Sequence, residues 1–195
     1  MTRASAAALV RVRLVVTATA LAMAVAVVVV GRADGAGHAW STYLAPSDVC
    51  PGANDRGAAA SLQARSVRCL VNWARAQEQR PGLRPSRALR RAAELKGRGV
   101  ASCGELSHAP CSSRVTDAVR RSGYRYSTFG ENLFAGSDRQ VSARDVVAAW
   151  LQSPLHRANI LRPGFREVGF AGIAAPGFFG ARDSIVWVAA FGARK

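Results

Sequence analysis

The sequence predicts an α+β fold. Three observations carry that reading: apolar residues recur at helical spacing through the middle of the chain, two β-rich runs are confined to its C-terminal end, and Gly/Pro clusters separate the segments. With 195 residues, one globular domain is expected once a targeting segment is set aside.

That segment comes first. Arg3, Arg11 and Arg13 precede Leu14–Val30, an uncharged run of Leu, Val, Ala, Met and Thr, which is the pattern of an export signal. The run is close to the lower limit for a spanning helix, roughly 17 residues. Residues 1–37 therefore read as a signal peptide or an N-terminal membrane anchor, and the rest of the chain as secreted or held at the cell surface. Cys50, Cys69, Cys103 and Cys111 all follow the run, and four cysteines in an exported chain point to two disulfides. Local spacing favours Cys103–Cys111, which leaves Cys50–Cys69. Zinc ligation is the other use of such residues, but no C-x-x-C pair is present.

Charge narrows the partners. Lys and Arg number 27 against 12 Asp and Glu, a net charge of +15, and nearly all the basic residues are Arg. A basic exported domain is drawn to an anionic cell-surface polymer or to lipid headgroups, and nucleic acid is not an expected partner there. Ala, Arg and Gly are abundant along the whole chain, so the charge also reads as a bias of composition.

Residues 38–60 lack periodicity and read as a tether, in which His38 is assigned no role. The domain proper is expected over 61–195. Ser61–Gln79 is helical in pattern, with Leu62, Val67, Leu70, Val71 and Trp73 apolar, and the "RPGLRPS" stretch ends it. Ser86 caps a second helix over Arg87–Ala101. Ser102–Cys111 is a short loop closed by two cysteines, Val115–Ser122 a brief helix, and Tyr124–Gly136 a loop with aromatic anchors. Val141–Gln152 is a further helix. Ser153–Leu161 follows, with Ser153 as N-cap, Pro154 at the first helical position and Leu155, Ala158, Ile160 and Leu161 as apolar contacts. Phe165–Ile173 and Ser184–Phe191 read as two strands in antiparallel register. Asn72, Trp73, Trp150 and Trp187 are expected as packing residues.

Three residues suggest chemistry: His108 in the cysteine-closed loop, Glu131 in "FGENL", and His156 in the first turn of its helix. Two imidazoles and a carboxylate suit a divalent metal such as zinc with an open position, or a proton-transfer cluster. Glu131 is equally suited to fixing a turn by accepting backbone N–H bonds.

"GENL" (Gly130–Leu133), "VVAAWLQSPLHRANIL" (Val146–Leu161), "FREVGFAG" (Phe165–Gly172) and "IVWVAAFG" (Ile185–Gly192) together resemble the CAP superfamily, the SCP domain of cysteine-rich secretory proteins, antigen 5 and pathogenesis-related proteins, in its bacterial branch. "LVNWAR" (Leu70–Arg75) and "LSHAP" (Leu106–Pro110) extend the resemblance upstream. It implies a three-layer α-β-α sandwich with a small antiparallel sheet, and a cleft lined by two histidines and two acids. His108, Glu131 and His156 would be three of these, and Ser153 stands where eukaryotic members carry the second acid. The resemblance implies lipid or divalent-cation binding among functions that vary across the family, and an exported, non-catalytic binding module is expected, for a small apolar ligand or lipid, a divalent cation, or an anionic envelope component drawn to the Arg-rich surface; a structural component of the cell envelope is a further reading. A metal-dependent hydrolase using the same cleft is the alternative, with Glu131 as base; the chain has neither a G-x-S-x-G elbow nor an H-E-x-x-H motif.

Overall fold

The computed structural model describes residues 39–137 and 141–195, which belong to one compact unit over Ala36–Lys195. The expected signal or anchor, residues 1–37, lies outside the described residues.

Helical periodicity translates directly into four helices. They are α1 (Ala60–Gln77), α2 (Arg87–Cys103), α4 (Ala143–Gln152) and α5 (Pro154–Leu161), with the short α3 at Asp117–Arg121. Ser86 caps α2 by accepting the Leu89 N–H, and Ser142 with Asp145 forms a complete capping box on α4. The strands are β1 (Arg84–Pro85), β2 (Tyr126–Ser137), β3 (Glu167–Ala174) and β4 (Ser184–Arg194), in the order β1-β3-β4-β2. β4 pairs antiparallel with both β3 and β2, while β1 adds two residues in parallel to β3. β4 is central and buried on both faces, so it reads as a continuous apolar run. Ile185, Trp187, Ala189 and Phe191 join the core under α1, α4 and α5. Val186, Val188 and Ala190 join the core under α2 and α3. The result is the three-layer α-β-α sandwich.

Three local expectations are corrected. Tyr124–Gly136, expected as a loop, contains β2, paired with β4 from Tyr126 to Ser137. Gly130, Asn132 and Gly136 look like turn formers in isolation, and pairing with a central strand overrides their propensity. Residues 40–59, expected within a tether, belong to the folded unit. Tyr43, Ala45, Cys50 and Ala53 are buried in the larger core, and the Arg144 N–H donates to Ala53 O at 2.9 Å. Each contact comes from one residue of an irregular segment, which periodicity does not detect. Finally, the Ser153 hydroxyl makes no cap bond. Ser153 ends α4, its N–H donating to Ala149 O at 3.3 Å, and starts α5 through its carbonyl, which accepts the Arg157 N–H at 2.9 Å. In α5, Ile160 is buried but Leu155 is 82% exposed, so the expected apolar contact there is absent.

Layer spacing depends on Gly169. An added Cβ would lie 2.0 Å from Arg90 N and 2.2 Å from the Leu89 carbonyl carbon, so α2 rests its backbone directly on β3. Both disulfides, Cys50–Cys69 and Cys103–Cys111, are formed.

Candidate functional site: a histidine cleft on the β2 edge

β2 is an edge strand, and its alternation sends successive residues of "GENL" to opposite layers. Gly130 leaves room for the Phe165 ring, which an added Cβ would meet at 2.7 Å. Glu131 faces α2. Asn132 faces α5, where its Nδ2 donates to His156 O at 3.0 Å and its Oδ1 accepts from Asn159 Nδ2 at 2.9 Å. Asn159 also donates to Glu131 O at 3.1 Å. These amides fix the start of α5 against β2, and with it the position of His156.

His108 reaches the same edge from the other layer, on the loop closed by Cys103–Cys111. Its Nδ1 donates to Glu131 Oε1 at 2.8 Å. The Glu131 side chain is almost fully buried, whereas that of His108 is 47% exposed. His108 and His156 line one cleft of about 560 Å³, together with Glu105, Leu106, Ser107 and Leu133. Burial holds the His156 imidazole below its ordinary value of 6.5, and the His108 ring adds to that effect, so His156 is neutral at pH 7. The three sequence-predicted residues are therefore gathered at one edge: His108 and Glu131 in contact, His156 across the opening.

A fourth member was not anticipated. Lys96 of α2 is 3% exposed, and its Nζ lies 3.6 Å from Glu131 Oε1. The same ammonium donates to His108 O and, at 3.3 Å, to Val115 O. It thus neutralises the carboxylate and pins the loop that carries His108. A signal existed: Leu89, Ala92, Ala93, Lys96, Gly97 and Val100 are the buried positions of α2, so a charge interrupts the apolar stripe. A charge within such a stripe needs a buried partner.

These contacts decide how well a metal fits. Glu131 Oε1 is shared between an imidazole N–H and a buried ammonium, so the carboxylate orients His108 rather than offering itself as a ligand. Among the described residues no group of three His, Cys, Asp or Glu side chains is placed to hold a metal ion. The expected His108–Glu131–His156 zinc set is thus not assembled as ligands. Serine chemistry finds no geometry either. The Ser107 hydroxyl accepts the Ala109 N–H at 3.1 Å, and among the described residues neither Ser107 nor Ser153 is bonded to an imidazole.

The family model for the cysteine-rich secretory protein family, CAP, matches residues 69–191. This chain belongs to the CAP family. The uncharacterized protein YkwD of Bacillus subtilis is 32% identical over 104 residues, covering 51% of this chain and 39% of YkwD. The CAP domain here thus spans well under half of that relative. Among solved structures, an extracellular SCP-domain protein of Bacillus anthracis superposes with a TM-score of 0.56 at 22% identity, over 70% of this chain and 41% of that one. An outer surface protein of Borrelia burgdorferi superposes with a TM-score of 0.55 at 18% identity, over 64% of this chain and 87% of that one. At such identities these likenesses bear on the CAP fold alone. The two disulfides of this CAP domain suit an oxidising, extracytoplasmic setting.

Proposed function

We propose that this CAP domain is a secreted or cell-surface binding module whose cleft holds a small ligand without chemically transforming it. The observation that carries the reading is the composition of the cleft: two imidazoles, the apolar Leu106 and Leu133 and the Glu105 carboxylate at the rim of about 560 Å³, while Glu131, the carboxylate that touches His108, is neutralised by Lys96. Pockets of this size with a few polar groups on apolar walls suit small molecules. A ligand with one apolar face and one hydrogen-bonding edge matches it, the apolar face on the leucines and the edge on His156, which as a neutral ring offers one acceptor or one donor. Among the described residues neither Ser107 nor Ser153 is bonded to an imidazole, so the hydrolase alternative has no serine nucleophile to support it.

The test is a thermal-shift screen of lipids, small apolar molecules and divalent cations against the chain and a His108→Ala/His156→Ala variant. A ligand at 100 times its Kd adds about 2.7 kcal/mol of stability. Stabilisation of the wild type that disappears in the variant is the expected result. Zinc binding that disappears in the variant, joined to zinc-dependent hydrolysis of a peptide or ester substrate, would instead establish the metal-dependent hydrolase.

A further inference from the structure

On the sheet edge opposite the cleft, a second groove of about 320 Å³ runs between α1 and the start of α2. Val168 and Phe170 of β3 form its floor. Arg65 and Arg68 line it from α1, and Arg87 and Arg90 from α2. Each pair is spaced i, i+3, so each helix turns two guanidinium groups to the same side. The groove is separated from the His108 loop by the length of α2, about 25 Å for 17 residues.

The charge of this groove is largely uncompensated. Among the described residues no acid lines it. Arg90 lies 3.8 Å from Glu94, but among the described residues Arg65, Arg68 and Arg87 have no ion pair and no side-chain hydrogen bond. Arg87 and Arg90 also stand in the first turn of α2, which holds no acidic residue. That is the positive end of the helix dipole, where cations are disfavoured. An Arg-rich composition accounts for many surface arginines. It does not account for four around one apolar floor without an acid, two of them at the helix end that repels them. Such a breach of local rules is expected where a ligand supplies the missing charge.

We propose that this groove docks a linear phosphate polymer, with neighbouring phosphates on the Arg65/Arg68 and Arg87/Arg90 pairs. Guanidinium forks match phosphate oxygens in a bidentate geometry. The net charge of +15 steers a polyanion toward the protein, and the groove supplies a defined seat. The inference is independent of the cleft: it uses different residues, and either can fail alone.

The experiment uses the whole chain and linear inorganic polyphosphate as probe, with binding measured across a salt series. One variant carries Arg65→Gln, Arg68→Gln, Arg87→Gln and Arg90→Gln. A charge-matched control carries Arg98→Gln, Arg120→Gln, Arg121→Gln and Arg125→Gln. The groove variant is expected to lose at least about tenfold in affinity, with a salt slope shallower by about 3, while the control stays within about twofold of wild type. Its Tm is expected to hold or rise, because repulsion at the α2 terminus is relieved. The separate pairs, Arg65→Gln/Arg68→Gln and Arg87→Gln/Arg90→Gln, should each lose part of the affinity, which keeps the test valid if the fourfold variant folds poorly. Equal losses in groove and control variants, or no polyphosphate binding by the wild type, would overturn the proposal. Groove-dependent binding to phosphatidylglycerol vesicles without polyphosphate binding would overturn it in favour of a lipid headgroup.

Discussion

The Lys96 ammonium lies 3.6 Å from Glu131 Oε1, and both side chains are sealed from solvent. Two opposite charges buried together cost desolvation, and their mutual attraction offsets it only while both are present. Lys96→Met should therefore destabilise the fold by about 3–5 kcal/mol, since it strands a buried carboxylate and frees the His108 and Val115 carbonyls. Adding Glu131→Gln should recover more than half of the loss. Urea unfolding of the two variants measures this, and a single variant within about 1 kcal/mol of wild type would show that the pair is unimportant.

His156 sets a pH dependence of stability. Burial, reinforced by His108, places its folded pKa below the ordinary value of 6.5. Below that ordinary value the unfolded chain takes up a proton that the folded chain resists, so stability falls with pH. The contribution is complete above about 6.5, declines as the pH drops toward the lower folded value, and changes no further beneath it. His156→Gln should flatten this part of the profile. The urea midpoint of each protein at about pH 7.5 and about pH 5.5 reads it, and parallel profiles would refute the assignment to His156.

The Cys103–Cys111 disulfide closes a loop with a separation of 8 residues, and His108 stands inside it. Chain entropy alone assigns such a loop about 2.5 kcal/mol. Cys103→Ser/Cys111→Ser should lose stability of this order and broaden the His108 imidazole resonances while sparing those of His156, which is held by the amides of Asn132 and Asn159 on the other layer. Equal broadening of both rings would mean that the loop does not position His108 separately.

The helices were legible because their apolar spacing is a local property of the chain. The helical and β-rich runs therefore revealed the fold class, and the C-terminal strands stood out by their β-branched and aromatic residues. β2 did not, because "GENL" owes its extended form to β4: Gly130 yields space to Phe165, Glu131 meets α2 and Asn132 meets α5. His108 and Glu131 were each conspicuous as residue types, yet they are 23 positions apart, and only the layered fold brings them to 2.8 Å. Lys96 was hidden for the opposite reason: among so many basic residues, one more cation attracts no notice until its neighbours on the helix are seen to be buried.

Gly169 offers the sharpest packing test. The atoms that an added methyl would strike, Arg90 N and the Leu89 carbonyl carbon, are helix backbone and cannot swing aside like the end of a side chain. Gly169→Ala should cost about 3 kcal/mol or more, at or beyond the upper end of ordinary overpacking. A loss under about 1 kcal/mol would mean that α2 can lift from β3 without penalty.

Arg75 carries the last prediction. It is fully buried, and its guanidinium serves four carbonyls: Nε donates to Pro81 O at 2.9 Å, Nη1 to Ile160 O at 2.8 Å and Arg162 O at 3.0 Å, and Nη2 to Phe165 O at 3.3 Å. Two of the partners close the C-terminal end of α5, so one side chain of α1, 85 positions from Ile160, anchors the helix that bears His156. Burial, with Arg166 and Arg80 nearby, lowers its pKa to about 10, which leaves it charged at neutral pH. Arg75→Met should cost at least about 3 kcal/mol by leaving several buried carbonyls without donors. Arg75→Lys should recover little, because a single ammonium cannot span both sides of a guanidinium fork. Both substitutions should also shift the His156 ring resonances, a readout that general loss of packing in α1 would leave in place. Substantial recovery by lysine, or unchanged His156 resonances in folded Arg75→Met, would show that α5 is held by its apolar face instead.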